Sequence, residues 1–264
     1  YTLTDADAEF VASVNWQAPA LNTVLLRFSE EEVRDILTYG RPGTPMPAWG
    51  AEGGGALTTQ QIDELIAYLG SIQITSDEAK AAAEAALRKD LGLAEGAFID
   101  YSDPAVGKAI FNLGLDAGTA GGGFSCARCH TKGASIVKGS QQPTNADLSE
   151  YAGFPDGSGA FGFSLRGGVV PRQFLTVDDL IKFLTKGSEY GVLYGQRGQG
   201  TGRMPAFGDD PNTEVEGDGM FNEGMIRAVA EYEATLGADS DDESAGTADT
   251  TTTTTGAPTT TQEP

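Results

Sequence analysis

Both cysteines of the chain and its only histidine lie in one pentapeptide, Cys126-Ala127-Arg128-Cys129-His130. Thiols at positions i and i+3 share a face of one helical turn, so both can bond to a single porphyrin. A Cys-x-x-Cys-His sequence is the attachment signal of a c-type haem, and the imidazole after the second thiol is the natural proximal ligand to the iron. The pentapeptide therefore predicts a covalent haem site at Cys126 and Cys129, with His130 on the iron.

Two other chemistries use closely spaced cysteines. A redox disulfide of the thioredoxin type belongs to an alternating pattern of strands and helices, which the sequence around these cysteines lacks. A zinc site takes about four nitrogen or sulfur ligands. This chain offers three, all within five residues, so haem attachment is the favoured interpretation.

A methionine thioether is a soft second ligand to haem iron, and a His/Met pair raises the reduction potential. The chain contains four methionines. Met225 lies on the apolar stripe of the last predicted helix and Met220 borders that helix, which indicates core packing for both. Met204 lies in a loop, and the proline that follows it restrains the backbone and presents the sulfur. We therefore predict that Met204 is the sixth ligand.

Apolar residues recur at helical spacing in several stretches and predict an all-α fold. We predict that residues 1–28 are mostly irregular. The glycine-rich stretch 131–173 is predicted to be a long irregular loop, and a loop of that length suits a chain that wraps a ligand such as haem. Residues 238–264 are acidic and then threonine-rich, with no apolar face to bury, which predicts a disordered tail. The predicted helices run from Ser29 to Gly40, Thr58 to Gly70, Ser76 to about Leu91, through 106–113, from Thr176 to Gly187 and through 225–236.

The two halves of the chain carry the same order of features. Each has a capped helix that ends in glycine, then a loop with the sequence Met-Pro-Ala-aromatic-Gly, then an amphipathic helix with a tyrosine. The recurrence of so unusual a loop between two helices predicts two copies of one domain. The paired features are Gly40 and Gly187, the loops 46–50 and 204–208, and Tyr68 and Tyr232.

These motifs together resemble a class I c-type cytochrome with two tandem domains, of the dihaem type. The resemblance rests on the Cys126 to His130 pentapeptide, the Gly107/Phe111 helix before it, the Met204-Pro205 loop and the last helix with Tyr232. It implies that the helix of Gly107 and Phe111 crosses the last helix and packs a glycine and an aromatic ring against it.

The domain organisation that follows has four parts. Residues 1–74 form a partial cytochrome c-like domain, and residues 100–237 form the haem-binding domain with long glycine-rich loops. Between them, residues 75–99 form a connector helix and linker, which its many alanines and charges predict to be exposed. The tail follows over 238–264.

The first half departs from the family pattern. Its segment Ala18-Pro19-Ala20-Leu21 resembles the family's Gly-Pro-x-Leu, but no Cys-x-x-Cys-His precedes it, so Met46 ligates iron only if an upstream haem motif exists. Either that motif lies upstream of Tyr1 and has been cropped, which would allow a second haem, or the first domain is a degenerate copy. The intact loop around Met46 favours cropping. In the second half, Gly162-Phe163-Ser164-Leu165 stands at the Gly-Pro-x-Leu position, and Thr131 replaces the glycine that usually follows the histidine.

Axial ligands from two side chains leave no position on the iron for a substrate. The sequence therefore predicts an electron carrier rather than an enzyme, relaying single electrons between a redox protein donor and acceptor in a respiratory chain. The alternative is a haem-bearing electron-entry subunit or module of a larger redox enzyme. A gas sensor is a third possibility and requires a Met204 that leaves the iron easily. Arg128, Arg172 and Arg203 either pair with haem propionates or face solvent.

The charge and the start of the chain bear on partners and location. A net charge of −21 argues against nucleic acid and leaves open a partner with a basic docking patch. The chain has no apolar run of 18 residues or more. It opens at Tyr1 without a methionine or a signal peptide, which favours a processed or cropped chain. We expect an exported protein on the periplasmic or extracytoplasmic face of the membrane, with membrane tethering possible through upstream sequence.

Overall fold

The computed structural model describes residues 2–4, 11–13, 18–41, 44, 46–113, 125–130, 162, 165–166, 168–188 and 204–236. This part of the chain is mainly helical, in agreement with the predicted all-α class. The helices are α1 (Glu30–Tyr39), α2 (Thr59–Ser71), α3 (Ser76–Asp90), α4 (Pro104–Phe111), α5 (Val169–Gln173), α6 (Val177–Lys186) and α7 (Glu223–Thr235), with 3-10 turns at Leu21–Thr23, Ala51–Gly53 and Cys126–Arg128.

Two predictions of irregular structure need correction. Two short strands, β1 (Thr2–Thr4) and β2 (Val11–Ser13), pair antiparallel within the stretch 1–28. Strands of three residues are too short to show a recognisable alternation of apolar and polar residues in the sequence. Helix α5 lies within the stretch 131–173. Residues 131–161 of that loop and the tail over 238–264 lie outside the described residues.

The predicted helix starts are confirmed by capping hydrogen bonds. The amide of Glu32 donates to the Ser29 hydroxyl (3.2 Å), and the Ser29 amide donates back to the Glu32 carboxylate (3.1 Å). These reciprocal bonds satisfy two amides that the first turn of α1 would otherwise leave unpaired. Thr58 and Gln61 form the same reciprocal pair at the start of α2, and the Thr176 hydroxyl accepts from the Asp179 amide at the start of α6.

The first segment (residues 18–74) and the second segment (residues 100–236) repeat one helix–loop–helix arrangement. In the first, the Trp49 amide in the loop donates to the Leu37 carbonyl of α1 (2.9 Å). In the second, the Phe207 amide donates to the Leu184 carbonyl of α6 (3.1 Å). The helices that flank the loop have matching lengths, with ten residues in α1 and α6 and thirteen in α2 and α7.

Helix α4 crosses α7 at a glycine, as the resemblance implies. A side-chain carbon at Gly107 would overlap the Ala228 carbonyl of α7 and would lie 2.9 Å from Cβ of Tyr232. One turn along α4, the ring of Phe111 packs edge-on against the Tyr232 ring, with 5.4 Å between centroids. The small residue lets the two helix backbones approach closely, and the aromatic pair fills the space beside the crossing.

The substitution Gly107→Ala tests this crossing. Because the new methyl would meet a backbone carbonyl, we expect it to lower the free energy of unfolding by about 1–3 kcal/mol in a guanidinium titration. Gly70→Ala is the matched control: Gly70 lies in α2 with open space around its Cα, and alanine there should stabilise by up to about 1 kcal/mol. Equal unfolding midpoints for the two variants would contradict the close crossing.

The prediction that the connector helix is exposed is wrong for one of its faces. Ala79, Ala83 and Leu87 of α3 are fully buried in the core that also contains α4 and α7. Polar groups hold the same helix in place, since the Ser76 hydroxyl donates to the Gly219 carbonyl (2.7 Å) and Glu84 accepts from the Asn222 amide (2.8 Å). Alanines four residues apart form a small apolar stripe, which high helix propensity alone does not distinguish from a solvated face.

The first segment contacts the second directly. Leu26 is buried in the core of the second segment, and the Arg27 carbonyl accepts a hydrogen bond from the Ala206 amide (3.2 Å). The Asn212 side chain donates to the carbonyls of Leu25 (2.6 Å) and Phe28 (3.1 Å). No helix in the described part of the chain is long and apolar enough to cross a membrane.

Candidate functional site

The predicted attachment residues lie on one 3-10 turn. The amides of Cys129 (3.1 Å) and His130 (3.0 Å) both donate to the carbonyl of Cys126. The hydroxyl of Ser125 donates to the Phe111 carbonyl (2.8 Å), which fixes the start of the turn to the end of α4. Cys126 is buried and Cys129 half-buried, and neither forms a disulfide. One short turn therefore presents both thiols and the imidazole.

The imidazole of His130 is buried and lies against Gly162. A side-chain carbon at position 162 would overlap the ring, at 2.5 Å from Nδ1 and 2.7 Å from Nε2. The Gly162 amide donates to the Cys129 carbonyl (2.6 Å) and holds the glycine in this place. Gly162, the first residue of the segment at the Gly-Pro-x-Leu position, therefore lies against the histidine, while Phe163 and Ser164 lie outside the described residues.

Met204 is held in its loop from both sides. Its amide donates to the Ser188 hydroxyl (2.9 Å) and its carbonyl accepts from the Ser188 amide (3.1 Å). Gly187 has a φ of +71°, and a side chain there would lie 2.7 Å from the Met204 carbonyl oxygen, so the helix end and the loop fit only around glycine. The Met204 side chain is partly buried and packs against the core that contains Cys126.

Met220 and Met225 are fully buried, which confirms the prediction of core packing for both.

Met46 has the same loop geometry in the first segment. Its carbonyl accepts from the Arg41 amide (2.9 Å), and Gly40, with a φ of +73°, lies against that carbonyl as Gly187 does against the carbonyl of Met204. The only histidine of the chain lies on the 3-10 turn of the second segment. The loop is thus repeated, and within this chain the first segment contains no histidine.

Burial controls the ionisation of the two thiols. It raises the pKa of Cys126 well above its ordinary value, and the Glu233 carboxylate adds to the rise. Burial also raises the pKa of Cys129, against the opposing effect of nearby guanidinium groups. Both thiols are therefore protonated at neutral pH, unlike the thiolates of redox disulfides and zinc sites.

Among the described residues, no group of three or more His, Cys, Asp and Glu side chains is arranged to hold a metal ion.

The arginines that the sequence singles out have different environments. Arg128 is buried, with 3% of its surface exposed, Arg172 is exposed, and Arg203 lies outside the described residues. Sequence reasoning missed Arg27 and Arg41 of the first segment, whose positive charges oppose the rise that burial gives the pKa of Cys129. They leave no local signal because the interaction joins residues that are distant in the sequence.

Sequence reasoning also missed Glu233, a buried carboxyl on α7. Its Oε1 atom has no hydrogen-bond partner in the described part of the chain. Burial raises its pKa to about 8. The sequence does contain a signal for this buried carboxyl. Glu233 follows its N-cap Asn222 by the same number of residues as the buried Leu69 follows its N-cap Thr58, so the two occupy equivalent positions in α7 and α2. The repeat thus marks the position as one that faces the core.

The donor set fits a covalently attached haem. The two neutral thiols of Cys126 and Cys129 lie on one turn and match the two vinyl groups of a haem. The buried imidazole of His130 lies against Gly162, where a larger residue would displace it. The thioether of Met204, in its restrained loop, packs against the core that contains Cys126. No protein family, no characterised protein and no solved structure that was compared matches this chain.

Proposed function

We propose that the protein is an electron-transfer c-type cytochrome, with one haem bonded to Cys126 and Cys129 and held at the iron by His130 and Met204. When bound, the haem supplies one-electron redox chemistry. The observation that carries the proposal is the imidazole of His130, buried against Gly162 on the same turn as the two thiols. A side chain of this kind, fixed in orientation and shielded from water, is suited to stay on iron in both redox states.

The ligands that the chain offers favour electron transfer over catalysis at the iron. His130 and Met204 would both hold the iron, and a substrate would then have no place to bind it. The hydrogen bonds between Met204 and Ser188 oppose movement of the loop that would withdraw the thioether. The buried core around Cys126 excludes water from that side of the site, which reduces reorganisation when an electron arrives.

The finer fold assignment is part of the same proposal. We infer two tandem cytochrome c-like domains, over 1–74 and 100–237, with the first lacking its haem motif within this chain. The shared loop hydrogen bonds of the two segments and the α4–α7 crossing support this assignment. The partners would be a redox protein donor and acceptor on the extracytoplasmic face of a membrane. The alternative role, as the electron-entry module of a larger redox enzyme, uses the same haem and ligands.

Expression in an exporting host with a haem-attachment system tests the proposal. We expect the intact mass to rise by one haem, and the haem to stay with the polypeptide under denaturing conditions. The control is the double variant Cys126→Ala/Cys129→Ala, which should carry no covalent haem. Haem that washes off the unchanged chain in denaturant would refute attachment, and unaided turnover of a small substrate by the purified protein would overturn the carrier role.

A further inference from the structure

The methionine loop of the second segment (residues 204–208) has hydrogen-bond partners in both segments. Within its own segment, the Phe207 amide donates to the Leu184 carbonyl of α6 (3.1 Å). The Ala206 amide donates instead to the Arg27 carbonyl of the first segment (3.2 Å). A contact with the first segment therefore lies two residues from the proposed methionine ligand.

Leu26 belongs to the first segment but lies in the core of the second. It is 7% exposed and shares that core with Phe207 of the methionine loop. Other leucines of the first segment, such as Leu57, pack against the separate core of that segment. Because Arg27 follows Leu26 directly, the burial of Leu26 holds in place the carbonyl that accepts from the Ala206 amide.

A third contact comes from Asn212, in the loop between the methionine loop and α7. Its Nδ2 atom donates to the carbonyls of Leu25 (2.6 Å) and Phe28 (3.1 Å), and its Oδ1 atom accepts from the Glu30 amide (3.1 Å). The Glu30 amide belongs to the first turn of α1, where amides have no partner within the helix. One side chain thus holds three backbone groups of the first segment.

The loop that carries Asn212 is longer than its counterpart in the first segment. Thirteen residues (209–221) separate the methionine loop from the N-cap of α7, whereas seven (51–57) separate the equivalent loop from the N-cap of α2. Within the longer loop, the Asp210 amide donates to the Asp218 carboxylate (2.8 Å) and the Asn212 amide donates to the Asp210 carboxylate (2.8 Å). The additional residues therefore fold into a shape that places Asn212 against the first segment.

We propose that Leu26 and Asn212 are positioning residues for the iron ligand, because they fix the methionine loop to the first segment and so keep the thioether of Met204 on the iron. The inference rests on the proposed haem with Met204 as a ligand. Movement of the thioether together with its loop would break the hydrogen bond between Ala206 and Arg27. Contacts behind a ligand orient it and hold it at the metal. The first segment then takes part in the redox site of the second.

Binding of imidazole to the oxidised holoprotein tests the inference. Imidazole can bind only to iron that the thioether has left, so its apparent affinity follows the population without methionine ligation. We expect Leu26→Ala and Asn212→Ala each to raise that affinity about tenfold, with the haem still covalently attached. The matched controls are Leu57→Ala, in the core of the first segment, and Glu214→Ala, at an exposed position of the longer loop. Both should bind imidazole as the unchanged protein does.

Hydrogen exchange at the Ala206 amide gives a second readout on the same holoprotein. The hydrogen bond of this amide to the Arg27 carbonyl breaks when the loop leaves the first segment. Exchange should therefore be about tenfold faster in Leu26→Ala and Asn212→Ala than in the two controls. Equal exchange in all four variants would contradict a role of these residues in holding the loop.

The outcomes separate this inference from the proposed function. If the unchanged protein attaches no haem, the proposed function fails and the inference falls with it. If the haem is attached and methionine-ligated, but Leu26→Ala and Asn212→Ala bind imidazole no more tightly than the controls, the inference alone is refuted. Should Leu26→Ala fail to fold, Asn212→Ala decides, because Asn212 is exposed and its side chain can be removed without opening the core.

Discussion

Met204→Ala is expected to leave the haem covalently attached while it lowers the reduction potential and opens the iron to external ligands. The thioether stabilises reduced iron, so its loss should shift the ratio of reduced to oxidised protein on the order of 100-fold, about 120 mV for one electron. A redox titration measures this shift. Carbon monoxide should bind the reduced variant at neutral pH and should not bind the unchanged protein, which separates a carrier from a gas sensor.

Met46→Ala provides the matched control within the repeat. Met46 has the same loop, the same glycine against its carbonyl and the same backbone hydrogen bond as Met204, but its own segment has no histidine within this chain. The Met46 variant should keep the potential and the spectrum of the unchanged protein. An unchanged spectrum in Met204→Ala would remove Met204 from the ligand set, and a change in Met46→Ala alone would assign the ligand to the first segment.

Glu233→Gln is expected to remove most of the pH dependence of stability between about pH 4.5 and pH 8. Burial raises the pKa of the folded Glu233 to about 8, from an ordinary value of 4.5. Between these values the unfolded chain releases a proton that the folded chain keeps, so stability falls as pH rises and becomes constant above about pH 8. The difference corresponds to about 5 kcal/mol.

Guanidinium titrations at pH 4.5 and pH 8 measure this loss. The free energy of unfolding of the glutamine variant should change little between the two pH values. At pH 8 it should be higher than that of the unchanged protein by about 3 kcal/mol or more. Glu231→Gln, an exposed neighbour on the same helix, is the control and should keep the slope of the unchanged protein. Equal slopes for Glu233→Gln and Glu231→Gln would show that the buried carboxyl does not control the pH dependence.

Much of the local structure follows from short-range chemistry. The starts of α1, α2 and α6 are set by Ser29, Thr58 and Thr176, whose hydroxyls each accept a hydrogen bond from a backbone amide three residues later. The contact of Gly107 with α7 was also predictable, but only through the resemblance, because a glycine in a helix carries no information about which backbone approaches it.

The features that sequence reasoning missed depend on contacts between distant residues. Arg27 is buried where its segment contacts the methionine loop of the other, and α3 has a buried face because it packs in the core that contains α4 and α7. Charge and propensity describe a residue in isolation and predict solvent exposure for both. Glu233 is different, since alignment of the two copies would have placed it at a core position.

The buried face of α3 also affects how the first and second segments separate on unfolding. Ala79, Ala83 and Leu87 share one enclosed core with Leu26 of the first segment and Val229 of α7. Opening α3 would uncover that core and detach the first segment in the same event, so amide exchange and proteolysis should report a single cooperative unit. We therefore expect the two segments to behave as one unit, and we expect neither to fold when it is transferred alone into another protein.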